Sequence, residues 1–193
     1  MRFLLLLTWA LIVAMGVGAG SAYYLIKDDS NLGSVTVGNW QVWPMIGQAE
    51  ADPYSLALRV RARSIPLGAA EGLAFTAKSI APGQPLERAC SYRLVGQIPR
   101  SRIWTLVLTD LDGTPLISQD EPPKLAGVHS KNVVRQADGA VRISIGPQAK
   151  PGNWIRQTGS GPFKIILRIY DTELNSTDQF ESPDMPQLIQ EKC

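Results

Sequence analysis

The sequence predicts a mainly β protein: an antiparallel β-sandwich of jelly-roll type with one or two short helices, preceded by a single N-terminal transmembrane helix. Three observations carry this expectation. Residues 3–26 hold no charged side chain. The chain beyond them runs in short segments of alternating polarity, separated by Pro, Gly, Asn and Asp turn signals. One stretch, 52–63, opens with a helix start signal.

The uncharged run reads FLLLLTWALIVAMGVGAGSAYYLI. As a helix it reaches roughly 36 Å, enough for a hydrocarbon core of about 30 Å. A cleaved signal peptide would use Arg2 as its n-region and the small residues Gly20-Ser21-Ala22 for cutting. An uncleaved signal anchor explains more. The apolar run continues through Tyr23, Tyr24, Leu25 and Ile26, and tyrosines suit the water interface. Arg2 lies on one side, while Lys27 on the other is followed by Asp28 and Asp29, so the charge bias points to a cytoplasmic N-terminus. Either way the rest of the chain is exported. No cysteine near the end of the run suggests lipid modification. Gly16 and Gly20 form a G-x-x-x-G pair, a spacing that lets two helices approach closely. The organisation expected is therefore an anchor over 1–27, a polar linker over 28–33 and one β domain over 34–193.

Charge excludes one class of partner. The chain has 19 basic and 17 acidic residues and no block of like charge. Nucleic-acid binding has no electrostatic footprint, and an acidic membrane surface is not an obvious partner. Cys90 and Cys193 are the two cysteines. In an exported protein two cysteines more often pair than stay free, so they are expected to bridge, the alternative being a free buried Cys90.

Each element has its own warrant. Residues 34–43, SVTVGNWQVW, alternate as a half-buried strand. Asp52-Pro53 is an N-cap followed by proline at the first helical position, and the Leu, Ala and Arg that follow favour helix. Strands follow at 71–77, 88–97 and 103–109, with turns at Pro82-Gly83 and Asp112-Gly113. Residues 115–135, including Pro122-Pro123, read as irregular. Residues 140–145 alternate clearly after Asp138-Gly139, Pro151-Gly152-Asn153 is a turn, and 163–170 is the strongest strand. The stretch 185–193 is expected to be a short helix or a tethered tail.

Several segments together resemble the bacterial family called domain of unknown function 1214. They are ADPYSLALRVRARSIPLGAAEGLAFTA (51–77), ERACSYRLVGQIPRSRIWTLVLTD (87–110), DGAVRISIGP (138–147), PGNWI (151–155) and GPFKIILRIYD (161–171). The chain looks like the short, membrane-anchored branch. The resemblance implies a jelly-roll sandwich and no agreed activity. It also implies a companion, domain of unknown function 1254, which this chain would have to meet in trans. The expected location is the bacterial inner membrane with the domain in the periplasm, or the periplasm alone if the helix is cleaved.

Few residues point to chemistry. His129 is the single histidine, no metal-type spacing surrounds it, and it reads as a loop residue; no cofactor is expected. Gly159-Ser160-Gly161 lacks the spacing of a nucleophile elbow. Asn175-Ser176-Thr177 matches a glycosylation sequon, which matters only in a eukaryotic secretory pathway. Trp40 and Trp43 should face opposite sides of one strand, and Trp104 should be core. Trp154 follows a turn, where an aromatic either packs or anchors a ligand. Arg102 and Arg168 sit at or within apolar strands, and an unpaired buried charge is costly. The default reading is a structural ion pair, with Glu71 or Asp110 as the candidate partners of Arg168. The sharper reading is a ligand site shared by Arg102, Asn153, Trp154 and Arg168. The function expected is a membrane-tethered, non-enzymatic binding or assembly module, the alternative being a carboxylate-based hydrolase or a small-molecule carrier.

Overall fold

The computed structural model describes residues 1–27, 33–47, 51, 53–61, 67–68, 71–117, 124–157, 159–175 and 183–193. Residues 28–32 of the expected linker 28–33, the expected N-cap Asp52, Pro122-Pro123 and most of the sequon lie outside them. Helix α1 (Arg2–Lys27) follows the uncharged run, and its span Arg2–Tyr24 is long and apolar enough to cross a membrane by length and composition. Helix α2 (Pro53–Arg61) forms where proline is placed at a first turn.

The expected strand 34–43 is instead a hairpin of β1 (Val35–Val37) and β2 (Trp40–Val42), because Gly38-Asn39 reverses the chain and pairs Val37 with Trp40. Then come β3 (Gly72–Ala77), β4 (Ser79–Ala81), β5 (Gln84–Pro85), β6 (Ser91–Gly96), β7 (Ser101–Thr109), β8 (Gly127–His129), β9 (Val141–Gly146), β10 (Asn153–Arg156), β11 (Lys164–Thr172) and β12 (Gln187–Lys192). Among the described residues one sheet orders β1-β2-β3-β11-β7-β8, a second β10-β9-β6-β12, and β4-β5 form a small ribbon.

The core follows from register. Leu167 pairs with Phe75 on one side and Leu106 on the other, and all three are fully buried. In the second sheet Leu94 stands between Ile143 and Leu188. Both rows belong to one apolar cluster, to which Trp40, Tyr92, Trp104 and Phe163 add the largest side chains. Each such side chain contributes about 1.5–3 kcal/mol relative to exposure.

Three expectations need correction. The stretch 185–193 is neither helix nor loose tail: β12 pairs antiparallel with β6. Within 115–135, β8 pairs with β7, and bridges join Thr109 to Pro115 and Ile117 to Leu125. The sheets are not wholly antiparallel, since β10 runs parallel to β9. Parallel strands ordinarily need a crossover of about a dozen residues. Here the overlap is only Asn153–Arg156 against Ile143–Gly146, so the short Pro- and Gly-containing return over 147–152 is long enough.

Candidate functional site

The four residues expected to share a ligand do not converge. Arg168 pairs with Thr105 in register, and Arg102 lies three positions from Thr105 on the same strand. Side chains alternate along a strand, so an odd offset puts the two arginines on opposite faces of the sheet. Arg102 lies beside Asp171 instead, Nε to Oδ2 3.5 Å, with both side chains mostly in water at 81% and 70% exposure. Arg168 shares the outer face with Lys164 and Ile166, while Ile165, Leu167 and Ile169 enter the core. Neither carboxylate named as its partner pairs with it: Glu71 Oε2 accepts from the Gly68 N–H at 3.3 Å, and Asp110 Oδ1 from the Thr114 N–H at 2.8 Å.

Asn153 and Trp154 lie in the other sheet, with their polar groups engaged. The Asn153 side chain accepts from the Val134 N–H at 2.8 Å and donates to the carbonyls of Val134 at 2.7 Å and Arg142 at 2.9 Å. It clips the segment before β9 to the parallel crossover. The Trp154 indole donates to the Gly146 carbonyl at 3.1 Å, and its ring is half-buried. Trp104 is buried, as is Trp40, while Trp43 follows β2 and is half-buried. His129 ends β8, exposed, with Nδ1 accepting from the Lys131 N–H at 3.3 Å.

The better-built constellation holds β12. Cys90 and Cys193 form a disulfide across 103 positions. The Trp40 indole donates to the Pro186 carbonyl at 2.7 Å. Glu191 pairs with both Arg93 and Lys150. The Lys150 hydrogen bond, foremost, and the charges of Lys150 and Arg93 hold the Glu191 carboxyl below its ordinary value, against desolvation. Glu191 and Lys150 are 41 positions apart, and nothing local in the sequence marks them as partners. Burial pushes the Tyr92 phenol up, and its oxygen accepts from the Glu87 N–H at 2.7 Å.

Two exposed apolar features escaped the sequence reading. Ile117 and Leu125 are bridge partners yet 62% and 54% exposed, and Leu111, 52% exposed, lies in the preceding turn between the bridged Thr109 and Pro115. On α2, Tyr54, Leu56 and Val60 are exposed. The signal for the first was an isoleucine inside a segment with no strand pattern. For the second it was a helix without a clean polar face.

The sequence profile of a family described as protein of unknown function (DUF1214) matches residues 71–174. The chain belongs to the DUF1214 family. The DUF1214 match covers β3 through β11, whereas Trp40 of β2 and Leu188 of β12 lie outside it and still complete the core. No curated protein matches the chain. Among solved structures, the VPA0106 protein from Vibrio parahaemolyticus is similar at 18% identity and a TM-score of 0.56, over 74% of this chain and 36% of that one. An uncharacterised protein from Burkholderia cenocepacia is similar at 18% identity and a TM-score of 0.38, over 92% of this chain and 52% of that one. The DUF1214 chain thus spans about a third of the first of these proteins and about half of the second. The first likeness concerns the fold alone.

Proposed function

We propose that this DUF1214 chain is a short, membrane-anchored member of its family and serves as a binding or assembly module of the bacterial cell envelope. In this reading α1 stays in the inner membrane uncleaved. A jelly-roll-type sandwich stands in the periplasm, where the Cys90–Cys193 bridge is chemically at home. The observation that carries the binding role is the Ile117–Leu125 pair. Opposed side chains on a bridge stand close together, so these two present one continuous apolar surface to solvent. A companion domain of unknown function 1254 in trans is the partner the family resemblance implies. Gly16 and Gly20, where an added Cβ would meet nothing within 4 Å, give α1 a flat stripe suited to a second helix.

The test is photocrosslinking in intact membranes. A photoreactive residue at Ile117 of the full chain should capture one stoichiometric partner, and the same residue at Val134, 73% exposed elsewhere, should not. Identical patterns from both positions, or a clean monomer from both, would reject the module.

A further inference from the structure

The sequence holds no block of like charge, yet strand register gathers one. In the four-stranded sheet Tyr92, Leu94, Ile143 and Ile145 enter the core, so the residues that alternate with them face outward. Arg93 and Arg142 are two of these, Arg142 paired with Val95. On β12 a bulge sets Glu191 and Lys192 against the single residue Ser91, on the same side. Arg156 pairs with Gly146 on that side, and Lys150 reaches Glu191 from the return over 147–152. Among the described residues of the face, one carboxylate, Glu191, stands against these cations. Asp138 belongs to the turn before β9, where its Oδ1 accepts from the Ala140 N–H at 2.9 Å, and Asp184 precedes β12. Arg142 and Lys192 are exposed and have no ion-pair or hydrogen-bond partner among the described residues. Each stands one strand and two residues from Arg93, roughly 8 Å between backbone positions, which is about the Debye length at physiological salt. The cations therefore act on a ligand as one field.

The middle row of the face runs Trp154, Ser144, Arg93 and Ile189. Trp154 is half-buried and Ile189 is 47% exposed. Tryptophan and arginine at the centre with charges around them is the composition of a protein interface. A bare isoleucine gains little from a sugar or a nucleic acid, but it gains from an apolar side chain. A bilayer would need the apolar groups to project, whereas the Trp154 indole is tied to the Gly146 carbonyl at 3.1 Å. We propose that the outer face of the β10-β9-β6-β12 sheet binds an acidic protein segment. Its carboxylates meet Arg142, Lys192, Arg93 and Lys150, and an apolar side chain rests on Ile189, directly opposite Arg93. Glu191, held by Arg93 and Lys150, shows how a carboxylate sits there. The face lies on the other sheet from the Ile117–Leu125 surface, so the two readings stand or fall separately.

The experiment uses the full chain in detergent micelles, its disulfide intact, and a fluorescein-labelled synthetic peptide of glutamate, serine and leucine. Fluorescence anisotropy should show binding that weakens as salt is raised. The same peptide with glutamine in place of glutamate should not bind. Arg142→Gln and Lys192→Gln should each weaken binding about threefold, and Glu191→Gln should tighten it about threefold. Ile189→Ser should weaken it about fivefold. Arg102→Gln, on the other sheet, should change nothing. The double reversal Arg142→Glu, Lys192→Glu should take up the corresponding lysine peptide instead, a gain that an unfolded variant cannot give. Equal binding of the glutamate and glutamine peptides, no binding of either, or affinities unmoved by these variants of the face overturns the proposal. Phosphatidylglycerol vesicles, alginate or a DNA duplex bound as tightly as the peptide, and indifferently to Ile189→Ser, would assign the face to another polyanion and overturn the protein one. A partner still captured at Ile117 would then leave the module standing without this face.

Discussion

Trp40 and Pro186 lie 146 positions apart, and the Trp40 indole N–H donates to the Pro186 carbonyl at 2.7 Å. The bond joins β2, near the start of the body, to the residue that leads into β12. Both residues are buried. Trp40→Phe keeps an aromatic ring but leaves a buried carbonyl unpaired, a loss of about 1–3 kcal/mol before any cavity is counted. The urea midpoint should fall with the slope unchanged, and amide exchange should quicken first in β12. An unaltered midpoint would mean that the carbonyl finds water instead.

The disulfide secures the same strand. Cys90 is buried and Cys193 exposed, and the loop they close spans 103 positions. Chain-entropy reasoning assigns about 4.7 kcal/mol to a loop of that size. The double variant Cys90→Ala, Cys193→Ala should lose up to that amount in denaturant unfolding. Equal stability of the two forms, within about 0.5 kcal/mol, would show that β12 is held by its other contacts alone.

Glu191 makes stability depend on pH. Its folded-state carboxyl is held below the ordinary 4.5 by Lys150 and Arg93. A depressed carboxylate contributes fully above its unfolded value, and the contribution is lost as pH falls through the folded value. Going from about pH 6 to about pH 3, the wild type should therefore lose more stability than Glu191→Gln. Arg93 and Lys150 are 43% and 37% exposed, so the difference should be about 1 kcal/mol. Parallel stability curves for the two proteins would remove the pair from the account of β12.

What the sequence could disclose was what each segment carries locally. β11 was legible because Ile165, Leu167 and Ile169 alternate in one unbroken run. β12 was not, because in Gln187–Lys192 only Leu188 enters the core and Ile189 is 47% exposed. Its ties to Trp40, Cys90, Arg93 and Lys150 are all long-range. The parallel placement of β10 depends on how far the chain returns between Gly146 and Asn153, which no periodicity encodes. The proposed ligand site failed to assemble for a related reason. That Arg102 and Arg168 face apart is a matter of pairing register, and register belongs to two strands at once. Asn153, read from the sequence as the end of a turn, begins β10 instead, and with its amide spent on Val134 and Arg142 it is a clip.

At Gly72 the pairing of β3 with β11 leaves no room for a side chain. Its φ is 151°, and a Cβ added there would lie 2.0 Å from the Ile169 carbonyl oxygen and 3.0 Å from the Tyr170 Cα. Gly72 pairs with Tyr170 in register, so the obstruction falls on the ladder itself. Backbone atoms cannot swing aside as a flexible side chain can, and Gly72→Ala should cost about 3 kcal/mol or more through strain and lost pairing. Gly152 supplies the contrast. It too has a positive φ, 85°, but an added Cβ there meets nothing within 4 Å. Gly152→Ala should therefore cost only the conformational term, about 1–2 kcal/mol. In calorimetry the Gly72 variant should melt several degrees below the Gly152 variant. Equal melting temperatures would mean that β3 can shift along β11, and that the row of Phe75, Leu167 and Leu106 is less firmly registered than its complete burial implies.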